Sequence, residues 1–202
     1  MLILKRPFIW VRRFFHRCGY GVHSPFAFDF ITTVIYEKSP YYAYKELEPG
    51  KQNEKNAGKG KSPKINRLLF RLVNRAQPET IVEIGKCVST SSYLRAGKKG
   101  ASHIHFETSA NIALPEDTPI GFLYIHHFKK SGEAEKAFDA CIQHALPHSV
   151  FVLEGIGYSR EMKRLWRKMT GDDRVGITFD LYDLGILFFD KKKIKQHYTV
   201  NF

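Results

Sequence analysis

The chain has 202 residues, of which 43% are hydrophobic, and it carries a formal net charge of +12. This length and apolar content are enough for one folded α/β domain with a sizeable core. No apolar run approaches the roughly 20 residues that span a bilayer, and Cys18, Cys87 and Cys141 are too widely spaced for a disulfide framework or a zinc site.

The net charge bears on the partners of the protein, and its cysteines and first residues bear on its compartment. The excess of basic residues favours anionic partners such as nucleic acid, anionic lipid or an acidic substrate, or it is merely the surface of a basic soluble protein. An odd number of cysteines fits a reducing compartment, and the first residues lack the apolar core of a signal peptide. We therefore expect a cytoplasmic protein.

Residues 1–17 contain five basic residues and no acidic one. Trp10, Phe14 and Phe15 recur at helical spacing, which predicts an amphipathic helix. Two interpretations remain open at this point. The helix either touches a membrane surface or RNA, or it packs on the domain with its arginines in water.

Residues 18–47 complete a predicted N-terminal helical segment, 1–47. Ser24 and Pro25 are typical of a helix start, with Pro25 at the first helical position. The density of aromatic residues suggests a lid or substrate wall, in which Tyr20, His23 and Phe26 cover the site and bind the acceptor. Because histidine titrates near neutral pH, His23 is also a candidate base. The alternative is a helix that caps the edge of the sheet.

Residues 48–63 are rich in Lys, Gly and Asn and are predicted to form a flexible basic loop. Residues 64–202 are then predicted to form the main domain. It starts with an amphipathic helix that ends before Pro78 and has apolar residues at i, i+3, i+4, i+7 and i+8, namely Ile65, Leu68, Leu69, Leu72 and Val73.

A strand, a tight turn, a helix and a second strand follow. The apolar run Ile81–Ile84 stops at Gly85, which allows a sharp turn and close approach of a ligand. Glu107 ends the second run, 22 residues after Gly85 (107 − 85), near the roughly 20-residue spacing of an acid that binds ribose hydroxyls. The full G-x-G-x-x-G pattern is absent, since Ser89 stands where a second glycine is expected. The alternative is therefore an α/β sheet that binds nothing at this turn.

The rest of the chain alternates between short strands and helices. Thr108–Pro119 has little periodicity, although a full doubly wound domain would place another helix and strand there. The later predicted elements are a strand at Ile120–His126, a helix capped by Ser131, a strand at Val150–Leu153, a helix capped by Ser159, a hairpin of Val175–Leu181 and Leu184–Phe189, and an edge strand at Tyr198–Phe202.

From about Ile65 to Phe189, this order resembles the class I S-adenosylmethionine-dependent methyltransferases. The segment V-E-I-G-K-C-V-S-T-S is similar to the family's motif E-I-G-x-x-x-G-x-S, and G-Y-G-V-H-S-P-F and S-R-E-M-K-R-L-W resemble a group of small bacterial methyltransferases of undefined substrate. The resemblance implies a Rossmann-like α/β sheet, mostly parallel, with a C-terminal antiparallel hairpin, shortened in the middle and preceded by N-terminal helices.

The resemblance also implies the roles of particular residues. S-adenosyl-L-methionine is the implied cofactor, and Lys129 aligns with a general-base lysine of the metal-dependent catechol-type members. The implied cofactor-binding residues are Glu83, Gly85, Ser89, Ser91, Glu107 and His126, and Glu154 is an implied substrate-binding residue.

Departures from the family pattern argue against a metal site. The metal-dependent members end their fourth strand with D-H-W-K, whereas this chain has His126-His127-Phe128-Lys129. An acidic pair that often follows the fifth strand is Glu154-Gly155 here. Because hard divalent ions need several oxygen ligands, we expect no metal site and no requirement for magnesium.

Two functions remain open from the sequence. The first is an S-adenosylmethionine-binding methyltransferase whose acceptor, a small molecule or a macromolecule, is unidentified. The second is a catalytically degenerate relative that uses its basic surface to bind RNA or a protein.

Overall fold

A computed structural model of the protein describes residues 2–16, 18–48, 63–86 and 88–202, without the side chains of residues 2–6 and 88. Residues 49–62, almost all of the predicted flexible loop, lie outside the described residues. The helices are α1 (Leu2–Arg12), α2 (Pro25–Phe30), a π-helical turn (Ile31–Ile35), α3 (Tyr42–Leu47), α4 (Pro63–Ala76), α5 (Val88–Gly97), α6 (Ser131–Cys141), a 3₁₀ turn (Ile142–His144) and α7 (Arg160–Gly171). The strands are β1 (Thr80–Ile84), β2 (Ser102–Phe106), β3 (Ile120–Ile125), β4 (Ala145–Glu154), β5 (Thr178–Asp180), β6 (Leu184–Phe188) and β7 (His197–Thr199).

One seven-stranded sheet has the order β2-β1-β3-β4-β6-β5-β7. Every neighbouring pair is parallel except the two pairs that β6 makes with β4 and β5. The predicted antiparallel hairpin is therefore confirmed, and it turns at Tyr182, whose φ is 68°. Within the described residues, no helix is long and apolar enough to cross a membrane.

The sheet is covered by helices on both faces, which gives a three-layer α/β architecture. Because successive strand residues point to opposite faces, Ile81 and Phe122 pack under the N-terminal helices, α4 and α5. Val82 and Leu123 instead pack with α6 and α7. The core is thus two apolar layers on either side of one sheet.

The sheet is shortened where the sequence predicted. Residues 107–119 contain no helix or strand, and β3 pairs directly with β1. Strand β2 consequently forms one edge of the sheet, and the strand order reverses between β1 and β3. In open α/β sheets a ligand binds at such a switch point, outside the carboxyl ends of the strands.

A side-chain N-cap is confirmed at two of the three helix starts that were predicted from serine residues. The Ser24 and Ser159 hydroxyls accept hydrogen bonds from the amides of Ala27 and Met162. The predicted Ser131 cap is wrong, because Ser131 is already the first helical residue and Lys130 precedes it without a side-chain cap. The helix ends before Pro78 as predicted, and Gln77 turns the chain at φ 47°.

Candidate functional site

A cleft of about 380 Å³ lies at the carboxyl ends of β1, β2, β3 and β4, over the switch point of the sheet. Its walls come from five segments that follow these strands or start α6. The lining residues are Gly85, Lys86, Glu107, His126, His127, Phe128, Lys129, Glu133 and Glu154. The fold therefore brings together residues that are up to 69 positions apart (154 − 85).

The turn at Gly85 forms the floor of this cleft. Gly85 has φ +114°, a conformation that side-chain-bearing residues rarely adopt. Its amide donates to the carbonyl of Phe106 at 2.8 Å, which joins the turn to the end of β2. A Cβ atom here would lie 2.5 Å from Cβ of His126. Glycine is thus required both by the turn and by the packing of His126.

An exposed ion pair stands at the rim of the cleft. Lys86 Nζ lies 2.7 Å from Glu107 Oε2, and both side chains are about two-thirds exposed. The hydrogen bond from Lys86 and its positive charge lower the pKa of Glu107 below its usual value. Glu107 is therefore an accessible carboxylate at the end of β2 that is able to accept hydrogen bonds.

A buried histidine–glutamate cluster lies beneath the floor. Glu83 is fully buried, with Oε1 at 2.6 Å from His126 Nε2 and Oε2 at 3.3 Å from His103 Nε2. Burial alone would raise the pKa of Glu83, but its interactions with His103, His126 and Ser91 outweigh burial and lower the pKa to about 2. The carboxylate is therefore charged and directed into the protein.

Glu154 is held rigidly at the end of β4. Its Oε2 accepts hydrogen bonds from the Tyr124 hydroxyl at 3.1 Å and from the His127 amide at 2.9 Å. His126 Nδ1 lies 3.9 Å from the same oxygen, so the His126 ring stands between Glu154 and Glu83. These contacts fix the ends of β1, β3 and β4 relative to one another.

Beside the cleft, a row of aromatic rings leads from the lining residue His127 toward the β5–β6 turn. The His127 ring lies 5.2 Å from the Tyr158 ring, which lies 6.1 Å from the Tyr182 ring. Gly155 and Gly157 allow this packing, since a Cβ at either would come within 2.6 Å of His127 or Tyr182. The rings of Tyr158 and Tyr182 therefore form an aromatic surface next to His127.

The structure places the predicted site residues in two groups. Gly85, Glu107, His126, Glu154 and Lys129 line the cleft together. The remaining predicted cofactor residues lie outside its lining: Glu83 is buried below the floor, and Ser89 and Ser91 are half-buried on the first turns of α5.

The predicted lid of Tyr20, His23 and Phe26 is wrong, because none of the three lines the cleft. Tyr20 lies beside β7, at the edge of the sheet opposite β2. Phe26 packs at 5.3 Å from Phe188 near the end of β6, and His23 is an exposed residue ahead of α2. The segment instead covers the β5–β6 half of the sheet, since α2 buries Phe30 there.

Sequence reasoning missed His127 as a site residue. It is exposed, lines the cleft, and directly follows His126 at the end of β3. The rule that ligands bind beyond the carboxyl ends of parallel strands would have identified it.

Among the residues that the structure describes, no group of three or more His, Cys, Asp or Glu side chains is arranged to hold one.

No protein-family model and no curated protein matches the chain. Solved structures do match over most of its length. They include an O-methyltransferase from Bacillus cereus in complex with SAH, the demethylated product of S-adenosylmethionine (TM-score 0.51, 14% identity, covering 74% of this chain and 92% of that one). Also similar is a putative caffeoyl-CoA O-methyltransferase from Staphylococcus aureus (TM-score 0.55, 11% identity, covering 76% of this chain and 94% of that one). A third is the O-methyltransferase TomG from Streptomyces achromogenes in complex with SAM (TM-score 0.51, 12% identity, covering 75% of this chain and 91% of that one).

The chain therefore has the fold of the class I S-adenosylmethionine-dependent methyltransferases, as the sequence motifs predicted.

Proposed function

We propose that the cleft binds S-adenosyl-L-methionine and that the protein transfers its methyl group to an acceptor that is not yet identified. The observation that carries this proposal is the exposed Glu107 carboxylate facing the Gly85 turn at the switch point of the sheet. The methyltransferase fold supports it, because the similar solved structures include ones with SAM or SAH bound.

The residues present fit this cofactor in most respects. Glu107 would accept hydrogen bonds from the ribose hydroxyls, and Gly85 provides the sharp turn after β1 at the base of the cleft. Glu154 would place a negative charge near the cationic end of the ligand. Glu83 does not fit a direct role, since its carboxylate already contacts His126 and His103.

The chain's own contribution to transfer would be positioning. When bound, S-adenosylmethionine supplies a methyl group on a positively charged sulfur. The aromatic surface beside the cleft, with Tyr158 and Tyr182, would orient the acceptor for in-line attack. His127 and Lys129, both exposed in the cleft, are the candidates to take the acceptor's proton.

A second function, a non-catalytic module that binds RNA or a protein, is favoured by two features. The His126 ring occupies the space above Gly85, and the segment after Glu107 supplies no helix to wall the cleft. A protein of this kind would keep the fold without binding the cofactor.

The test is isothermal titration of the purified protein with S-adenosylmethionine and, separately, with its demethylated product. We expect saturable binding of both and roughly ten- to hundredfold weaker binding by Glu107→Ala, because a hydrogen bond to a charged group is lost.

The matched control is Glu79→Ala, which removes an exposed carboxylate at the opposite end of β1. It should bind the cofactor as the unmodified protein does. Absence of heat with either compound would support the non-catalytic function instead. Equal affinities in the two variants would remove Glu107 from the site while leaving cofactor binding intact.

A further inference from the structure

Helix α1 turns an apolar side to the solvent. The side chains of Phe8, Val11 and Trp10 are 79%, 65% and 48% exposed. At about 100° per residue Phe8 and Val11 lie about 60° apart on one side of the helix, whereas Trp10 lies roughly 160° from Phe8 and lines the space toward the domain. Phe15, in the turn that follows, is 74% exposed. A helix that merely packed on the domain would bury this side.

Polar groups attach this segment to the domain. The Arg13 guanidinium donates to the Asp180 carboxylate at 2.9 Å and to the Asp180 carbonyl at 3.0 Å. Asn201 donates to the carbonyls of Trp10, through Nδ2 at 3.3 Å, and of His16, through its amide at 2.9 Å. The attachment is therefore made at the ends of β5 and β7, and the side chains of Phe8, Val11 and Phe15 stay exposed.

The charge of the segment indicates what covers that side. Residues 1–17 contain five basic residues and no acidic one. Arg12 is exposed on the helix that carries Phe8 and Val11. An apolar strip with a basic residue at its edge, in a segment without acidic residues, is complementary to an anionic bilayer surface, where the apolar side chains enter the acyl boundary and the cations meet the headgroups.

We propose that α1 and the turn after it, residues 2–15, dock the protein on the surface of an anionic lipid bilayer. A lipid surface fits better than RNA, because aliphatic Val11 and the neighbouring Pro7 lie among the rings and cannot stack on bases. The element lies on the surface and does not span it, since α1 has only 11 residues.

The docking element lies at the same end of the strands as the cleft, because the β5–β6 turn is next to the carboxyl end of β4. The Arg13 guanidinium carbon lies 5.7 Å from the Tyr182 ring centroid, and Tyr182 belongs with Tyr158 to the aromatic surface beside the cleft. A space of about 410 Å³ separates α1 from the β5–β6 turn. A bilayer bound by α1 would therefore lie beside the acceptor side of the cleft.

The experiment is flotation of the full chain with vesicles of phosphatidylcholine alone and of phosphatidylcholine mixed equally with phosphatidylglycerol. We expect binding to the mixed vesicles, weakened by salt. Phe8→Ser/Val11→Ser/Phe15→Ser should lower the partition coefficient roughly tenfold or more, because each side chain loses its burial in the acyl boundary.

The matched control is Tyr42→Ser/Ile194→Ser, which removes two equally exposed apolar side chains elsewhere, 89% and 81% exposed. It should float as the unmodified protein does, and circular dichroism checks that both variants are folded. Equal flotation of the two variants, or no binding to mixed vesicles, would overturn the proposal. So would binding of single-stranded RNA that is lost in the α1 variant while vesicle binding is unchanged. Cofactor titration in solution is independent of these outcomes.

Discussion

Glu83 shows how a single residue changes its role between sequence and structure. Its motif position suggests a ligand-facing carboxylate, but its oxygens point to His126 and His103 below the cleft. Two side chains that the motif does not contain, one from β2 and one from the end of β3, therefore decide its environment. We infer that Glu83 supports the cleft floor through His126.

This arrangement gives a testable pH dependence of stability. The pKa of Glu83 falls from an ordinary 4.5 to about 2 on folding, so its contribution is complete above pH 4.5 and is lost as the pH falls toward 2. Each unit corresponds to about 1.4 kcal/mol, so the loss should amount to roughly 3 kcal/mol.

Glu83→Gln removes this titration. The variant should be less stable than the unmodified protein at pH 7, and the difference should shrink as the pH falls from 4.5 to 2. Urea unfolding across this range measures both free energies. Parallel profiles for the two proteins would show that Glu83 does not have the lowered pKa.

At the scale of elements, the π-helical turn after α2 depends on a side chain from α4. Arg71 is buried, and its Nε and Nη2 donate to the carbonyls of Val34 and Ile35 at 2.6 and 3.1 Å. These carbonyls lie at the end of the turn, where helical partners run out. Arg71 thus joins the N-terminal helices to the helix that precedes the sheet.

Arg71→Met should lower the free energy of unfolding by roughly 2–3 kcal/mol, because two buried carbonyls lose a charged donor. The control is Arg75→Met, one turn later on α4, which breaks only an exposed pair with Asp29 at 3.0 Å. Surface pairs of this kind contribute at most about 1 kcal/mol. Urea unfolding compares the two variants, and equal losses would contradict the role given to Arg71.

For the whole molecule, the N-terminal helices belong to the same core as the sheet. Phe30 of α2 is buried at 4.7 Å from the Phe179 ring and 5.1 Å from the Phe188 ring. Trp166 on α7 packs on the opposite face of the sheet. Because both layers share the same strands, we expect the described part of the chain to unfold as one unit.

Phe30→Ala should destabilise the protein by about 3–5 kcal/mol, since it leaves a cavity in the core. The loss in free energy of unfolding should be the same whether unfolding is followed by far-ultraviolet circular dichroism or by Trp166 fluorescence. The fluorescence is measured in a Trp10→Phe background, so that Trp166 alone is observed. Phe28→Ala, on the exposed side of α2, should change stability far less. A fluorescence transition unaffected by Phe30→Ala would show that the two faces unfold separately.

The sequence by itself determined the class of fold, the shortened middle, the hairpin and most helix starts. These features depend on residue periodicity, glycine and proline positions and capping side chains, which act over a few neighbouring residues. Gly85 and Glu107, two candidate cofactor-binding residues from the sequence, both line the cleft, because the carboxyl ends of parallel strands lie at one edge.

Only the tertiary structure decided where the N-terminal segment lies and what Glu83 contacts. The placement of Tyr20, His23 and Phe26 depends on which half of the sheet α2 packs against, and α2 is distant in sequence from β5 and β6. The contacts of Glu83 join three strands, and the exposed apolar side of α1 depends on Arg13 and Asn201 reaching β5 and β7. Such contacts depend on packing between distant segments, which local patterns do not encode.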